Sequence, residues 1–232
     1  MGITERQGEI LNRLVQEYIE LAQPISSQLL ERKYDFGICP ATIRIEMQKL
    51  TDKGYLFQPH TSAGRVPTDK GYRFFVDGLF EIGFEDWEIG DWFEEEIDDT
   101  IKFLQRLTKN LSLASSALAV SYFEKEKIFW KEGWEEILKE PEFREKEYII
   151  NFTKLLENFE KNIDDLKLNS GIKIYIGREN PFPKAREFST IISKCYLPDS
   201  EEGIISLLGP KRMAYDRNIS LMNSLREALE NF

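Results

Sequence analysis

Cys39-Pro40-Ala41-Thr42-Ile43-Arg44-Ile45-Glu46-Met47-Gln48-Lys49-Leu50-Thr51-Asp52-Lys53-Gly54 runs straight into Tyr55-Leu56-Phe57-Gln58-Pro59-His60-Thr61-Ser62-Ala63-Gly64-Arg65-Val66-Pro67, and the fold turns on these residues. Pro40 suits the first position of a helix, because the N–H it lacks would be unpaired there anyway. Gly54 can take the positive φ that ends one. The spacing predicts a helix from Pro40 to about Lys53, with Ile43, Met47 and Leu50 on its core face. Ala41, Ile45 and Gln48 then face outward, flanked by Arg44 and Lys49. Residues 55–58 read as a short strand, 59–65 as a polar turn, and Val66 as a returning strand stopped by Pro67.

Upstream, Thr4-Glu5-Arg6-Gln7 fits a capping box. Ile10, Leu11, Leu14, Val15, Tyr18 and Ile19 recur at helical spacing until Gln23-Pro24, which predicts a helix over about 5–22. Ser26 can cap a short helix over 27–33, and Tyr34-Asp35-Phe36-Gly37 supplies a turn. A short helix, a turn and a second helix make a helix-turn-helix outline, and a hairpin directly behind it is a wing. Downstream, Thr68 caps a helix containing Tyr72, Phe74, Phe75, Val76 and Leu79.

The outer face of the third helix suits a major groove. Gln can bridge the edge of adenine, Arg that of guanine, and Ala or Ile can touch a thymine methyl. The plain alternative is a solvated face, which any amphipathic helix has. The wing tip offers His60, Thr61, Ser62 and Arg65, small donors beside one cation that could bind phosphates or enter a minor groove.

Charge first argues against a polyanionic partner, since the 232 residues carry 31 Lys+Arg against 41 Asp+Glu, a net of −10. The acidity is not evenly spread. Residues 1–76 hold ten Lys/Arg and nine Asp/Glu, a net of +1, and residues 77–232 hold the rest, a net of −11. The densest acidic stretch, 81–99, has ten acidic and no basic residues and contains Trp87, Trp92 and Phe93, so it reads as a boundary. Its tryptophans could form an adhesive segment recognised by a chaperone, or dock and cover the first domain.

Forty-one per cent hydrophobic residues, with 16 Phe, excludes a disordered chain. No apolar run reaches the ~18–20 residues that span a bilayer. No secretory pattern opens the sequence, so a soluble, cytoplasmic protein without membrane partners is expected. Cys39 and Cys195 lie far apart and His60 is the single histidine, which argues against a disulfide scaffold, a metal site or a metal cofactor. No Gly-rich phosphate loop or Gly-x-Ser-x-Gly elbow is present, and no catalytic residues are assigned. An enzyme is not expected.

In the second half, Ile97, Ile101, Leu104, Thr108, Leu111, Ser115 and Leu118 form a heptad-like seam in a helical pattern over 97–123, widened by Phe103 and Leu107. It reads either as a dimerisation helix or as a core helix. Glu94-Glu95-Glu96 and Asp98-Asp99 point in successive directions and read as solvated. A second helix is predicted over 146–168, strands over 172–176, 188–196 and 203–208, and a last helix from about Met213. Helices outside a small antiparallel sheet make an α+β domain. Cys195, in a predicted strand, reads as a buried structural thiol.

The sequence resembles the HrcA family of heat-inducible transcription repressors. The resemblance lies in Thr4-Glu5-Arg6-Gln7, in Cys39-Pro40-Ala41-Thr42-Ile43-Arg44 leading to Glu46-Met47, and in the unbroken run 59–73. It continues in Tyr175-Ile176-Gly177-Arg178-Glu179-Asn180-Pro181-Phe182-Pro183 and in Leu208-Gly209-Pro210-Lys211-Arg212-Met213-Ala214-Tyr215, and weakly in residues 139–143. Ile45 and Cys39 depart from the family's usual Asn and Ser. The chain is also shorter than typical members, with the shortfall between about Tyr122 and Phe129, where an inserted dimerisation domain would lie.

What the resemblance implies is a winged helix-turn-helix over 1–76, an acidic Trp-containing linker over 77–96, and a reduced GAF-like dimerisation and regulatory domain over 97–232. It further implies a homodimeric repressor of heat-shock genes on an inverted-repeat operator in double-stranded DNA, with a chaperonin as a further partner. The DNA-binding residues would be Ala41, Thr42, Arg44, Ile45, Gln48, Lys49, His60, Thr61, Ser62, Gly64 and Arg65. The alternative is a ligand-sensing regulator whose GAF-like domain binds a small molecule.

Overall fold

The computed structural model describes residues 2–89, 92–93, 100–166, 168, 171–197 and 201–230. The chain divides into two units, Met1–Ile82 and Gly83–Phe232.

In the first unit, α1 (Glu5–Leu21) begins on the capping box read from the sequence. Thr4 Oγ1 accepts from the Gln7 N–H and Gln7 Oε1 from the Thr4 N–H, both at 3.3 Å. Ala22, at φ 52°, ends it before Gln23-Pro24. Ser26 Oγ accepts from the Leu29 N–H at 3.1 Å and starts α2 (Ser27–Lys33). α3 (Pro40–Asp52) closes on a Schellman motif. Gly54 sits at φ 77°, its N–H donates to the Thr51 carbonyl, and the Tyr55 N–H donates to Leu50, each at 2.9 Å. β1 (Leu56–Phe57) and β2 (Val66–Pro67) pair antiparallel, Leu56 opposite Pro67. α4 (Asp69–Ile82) runs on through position 76. Ile10, Leu11, Leu14, Ile25, Leu30, Ile43, Leu50, Leu56 and Val76 form the core beneath these elements.

Among the described residues of this unit three charged side chains are buried, Glu17, Glu46 and Arg65, and Glu17 lies deepest. Glu17 is 2% exposed, and its carboxylate accepts from Lys33 Nζ at 2.7 and 2.9 Å and from the Tyr34 hydroxyl at 2.7 Å. A buried carboxylate persists only when paired in this way. Burial, and then the bond to Glu17, push the Tyr34 hydroxyl up to about 12.

The second unit opens in the acidic segment, where Glu85, Asp86 and Glu88 are exposed and the apolar Phe84, Trp87 and Ile89 are partly or fully buried. The Trp87 N–H donates to Ser224 Oγ at 3.0 Å, Ile89 is buried, and the rings of Phe93 and Phe103 lie 6.1 Å apart. Trp87 is thus tied through its backbone to the last helix of the second unit. Glu94, Glu95, Glu96, Ile97, Asp98 and Asp99 lie outside the described residues.

The helix expected over 97–123 is corrected by the structure. α5 (Thr100–Ser115) stops, Ser116 takes φ 54°, and Leu118–Phe123 is β3, buried at all six positions. A fully buried strand lacks the in-out alternation that marks strands, so its apolar run merges with the preceding helical stripe. From Leu104 onward the seam is core: Leu104, Leu111, Ser115 and Leu118 are buried, and Thr108 Oγ1 bonds Ser121 Oγ of β3 at 2.8 Å, whereas Ile101 is 45% exposed. β4 (Ile128–Glu132), also missed, returns along β3, with Phe123 opposite Ile128.

After the short α6 (Trp134–Ile137), α7 (Lys146–Asn162) ends earlier than expected, in a 3-10 turn at Ile163–Asp165. β5 (Ile172–Ile176), β6 (Phe188–Leu197), β7 (Glu201–Pro210) and α8 (Tyr215–Glu230) follow the predicted pattern with longer strands. Among the described residues the sheet has five strands in the order β4-β3-β7-β6-β5, each pair antiparallel. α7 covers one face, where Phe152, Leu155 and Phe159 meet Val120, Ile192 and Leu208. α5 and α8 cover the other, Tyr215 of α8 bonding Ser189 Oγ of β6 at 2.6 Å. This is the α+β class expected. Cys195 and Cys39 are both free thiols; Cys195 is buried, which pushes it up to about 12. Among the described residues no helix is long and apolar enough to cross a membrane.

Candidate nucleic-acid interface

The burial of Ile43, Glu46, Met47 and Leu50 turns the opposite face of α3 outward. Ala41, Arg44, Ile45, Gln48 and Lys49 are all exposed, Ile45 to 56%. Arg44 has no hydrogen-bond or ion-pair partner among the described residues, so its guanidinium is available to a phosphate or a base edge. Lys49 is already engaged, with Nζ 2.7 Å from Glu46 Oε1. Glu46 Oε2 accepts from Gln7 Nε2 at 2.7 Å, and the bonds from Lys49 and then Gln7 hold this carboxyl below its ordinary value. Thr42 is partly buried, its hydroxyl 3.4 Å from Cys39 Sγ. The Thr42 hydroxyl, then its backbone N–H, lowers the exposed Cys39 thiol.

The hairpin tip presents His60, Thr61 and Ser62 to solvent, with His60 Nδ1 3.1 Å from Ser62 Oγ. Gln58 Nε2 donates to the carbonyls of Thr61 at 3.0 Å and Ala63 at 2.9 Å, bracing the turn from within. The sequence reading missed this brace, because a Gln at the edge of a polar turn carries no signal of its own. Gly64 has a packing role. A Cβ there would lie 2.3 Å from the Ile25 carbonyl oxygen, where the backbones of Ile25 and Arg65 exchange hydrogen bonds of 2.9 and 2.8 Å.

Arg65 does not join the tip. It is 9% exposed and turned back onto α3, where Nε donates to Thr51 Oγ1 at 3.0 Å and a terminal nitrogen donates to Gln48 Oε1 at 2.8 Å. Gln48 Nε2 in turn donates to Asp52 Oδ1 at 2.8 Å. The Ile25 bridge fixes the Arg65 backbone, and the nearest acceptors then lie on the last turns of α3. Of the sequence-expected set, the structure therefore gathers Ala41, Arg44, Ile45, Gln48 and Lys49 on one helix face and His60, Thr61 and Ser62 at the hairpin tip. Thr42, Gly64 and Arg65 are packed behind them.

In the second unit the segments singled out from the sequence brace one another. Arg212, 8% exposed, donates to Glu142 at 2.6 and 2.8 Å and also to Glu140. Burial works against its charge, and the two carboxylates outweigh it and hold the guanidinium above its ordinary value. Asn180 donates to the Phe188 carbonyl and accepts from Thr190 Oγ1, both at 3.0 Å. A cavity of about 120 Å³ lies beside Gly171, Lys194, Cys195, Tyr196, Glu202 and Glu230. It is small against the ~300–1,000 Å³ of small-molecule pockets, and Lys194 is paired with Glu202 at 3.2 Å and Glu124 at 3.7 Å.

Residues 85–219 match the family described as HrcA protein C terminal domain. A heat-inducible transcription repressor HrcA of Thermodesulfovibrio yellowstonii is 27% identical over 341 aligned positions, covering 98% of this chain and 97% of the relative. That alignment is longer than the 232 residues of the chain, so the relative carries sequence that this chain lacks. A heat-inducible transcription repressor HrcA of Desulforudis audaxviator is 56% identical over 81 residues, 35% of this chain and 24% of the relative. A crystal structure of a hypothetical protein, 21% identical, superposes with a TM-score of 0.84 over 99% of this chain and 98% of that one.

Proposed function

The chain belongs to the HrcA family, and on that premise we propose that it is a sequence-specific DNA-binding repressor of heat-shock genes, acting on an inverted-repeat operator as a homodimer. The first unit acts as a winged helix: α3 enters the major groove with Ala41, Arg44, Ile45, Gln48 and Lys49, and the hairpin lays His60, Thr61 and Ser62 against the backbone or the minor groove. The observation that carries the reading is the exposed reading face of α3, with Arg44 unpaired among the described residues, braced by Arg65 to a hairpin whose tip is exposed. The second unit serves as a GAF-like domain for dimerisation and regulation, and the chaperonin enters through the family alone. No enzymatic step is part of this function, and a repressor works where the chromosome is, in the cytoplasm.

The charge distribution shapes the binding. A first domain of net +1 neutralises few phosphates, so affinity rests on correct bases and on holding two readers together more than on general attraction. Two-fold symmetry sets the half-sites a whole number of ~10-bp turns apart. Selection by the full chain from a randomised duplex pool tests this. An enriched inverted repeat is expected, and a pool left without a preferred sequence would contradict the reading.

A further inference from the structure

We infer that Arg65 is a positioning residue: it fixes the orientation of the Gln48 carboxamide for reading one base pair, and does not itself contact DNA. The inference rests on the DNA-binding reading above and goes beyond it by giving one residue of the interface a role at second hand.

The argument is one of donors and acceptors. A free glutamine amide turns readily about its last torsion and can present oxygen or nitrogen with little preference. Here it cannot flip. Arg65 has donors only and lies 2.8 Å from Oε1; Asp52 has acceptors only and lies 2.8 Å from Nε2. Exchanging oxygen and nitrogen would set donor against donor and acceptor against acceptor. A lone pair on Oε1 and a hydrogen on Nε2 are left over, on an exposed side chain. That is the pair that a bidentate contact to adenine requires.

Arg65 is poorly placed for any direct contact. At 9% exposure, with Nε held by Thr51 at 3.0 Å, it would have to abandon both bonds and its packing to reach a phosphate. The hairpin residues behind it hold the geometry. Gly64 permits the close Ile25 contact that sets the Arg65 backbone, so the orientation of Gln48 depends on a backbone approach on the far side of the hairpin.

The test uses the full chain and the duplex that the wild-type protein selects from a randomised pool, with affinities measured for every single-base-pair substitution across a salt series. Gln48→Ala and Arg65→Ala should each flatten discrimination at the same base pair by about tenfold. The double variant should be no flatter there than either single one. The slope of log affinity against log salt should stay unchanged in Arg65→Ala. A slope reduced by about one, with discrimination at that base pair kept, would make Arg65 a phosphate contact and overturn the inference.

Should Arg65→Ala fail to fold, Arg65→Lys decides. It keeps the cation but not the two-pronged geometry, so positioning predicts lost discrimination and an unchanged slope, whereas retained discrimination overturns the inference. A wild-type protein that selects no duplex refutes the DNA-binding reading itself. One that selects a duplex which Gln48→Ala reads equally well refutes the base-reading role of Gln48 and with it the role assigned to Arg65, and leaves sequence-specific DNA binding standing.

Discussion

The guanidinium of Arg65 donates to the carboxamide oxygen of Gln48 at 2.8 Å, joining the hairpin to the outer face of α3. The two parts of the candidate interface are thereby one hydrogen-bonded piece, and what disturbs the hairpin base should reach the helix.

Gly64→Ala is the sharpest such disturbance. The new methyl would sit 2.3 Å from the Ile25 carbonyl oxygen, a backbone atom with no easy retreat. Urea unfolding should show a loss of about 2 kcal/mol or more, in the range of overpacked sites. Unchanged stability would mean that the Ile25 bridge is not held in solution.

Removing Arg212 strands two carboxylates. Arg212→Ala should lower stability by about 2–4 kcal/mol, below the largest costs of broken buried pairs because Glu140 and Glu142 remain partly exposed. Thermal unfolding checks this; a change under about 0.5 kcal/mol, the usual effect of a surface substitution, would show the cluster to be dispensable.

Acid should weaken the link between α1 and α3. The Glu46 carboxyl is held below its ordinary value of 4.5, first by Lys49 and then by Gln7. Its contribution is complete above that value and disappears as pH falls through the lower folded-state value. Stability followed downward from pH 6 should therefore fall less steeply in Glu46→Gln than in the wild type. Parallel curves would contradict the assignment.

The thiols should separate by reactivity. Cys39 is exposed and its thiol lowered by Thr42, whereas Cys195 is buried and pushed up to about 12. Iodoacetamide should label Cys39 in the native protein and Cys195 only after unfolding, as read by peptide mass. If α3 lies in a groove, bound duplex should also slow the Cys39 reaction.

Much of the first unit was legible because its signals are local. Thr4 with Gln7, Ser26, Pro40 and Gly54 each act within a turn of themselves, and each does in the structure what its chemistry suggests. Arg65 was not legible in the same way. Its partners lie 14 and 17 residues back along the chain, and its direction follows from a backbone contact at Ile25 that no residue pattern announces. In the second unit β3 was hidden for a different reason. Leu118-Ala119-Val120-Ser121-Tyr122-Phe123 is buried on both faces, so its periodicity is lost, and only the left-handed turn at Ser116 separates it from α5. The pairing of Arg212 with Glu140 and Glu142 spans about 70 residues and could be seen only after the chain had folded.

The central claim is that this chain reads base sequence, and a competition titration tests it most directly. The full chain would bind a labelled duplex, selected from a randomised pool, against an unlabelled duplex of the same composition in shuffled order at one fixed salt concentration. The account predicts that the selected duplex binds at least about 10³-fold more tightly, the lower end of specific recognition. Equal competition by the two duplexes would contradict it.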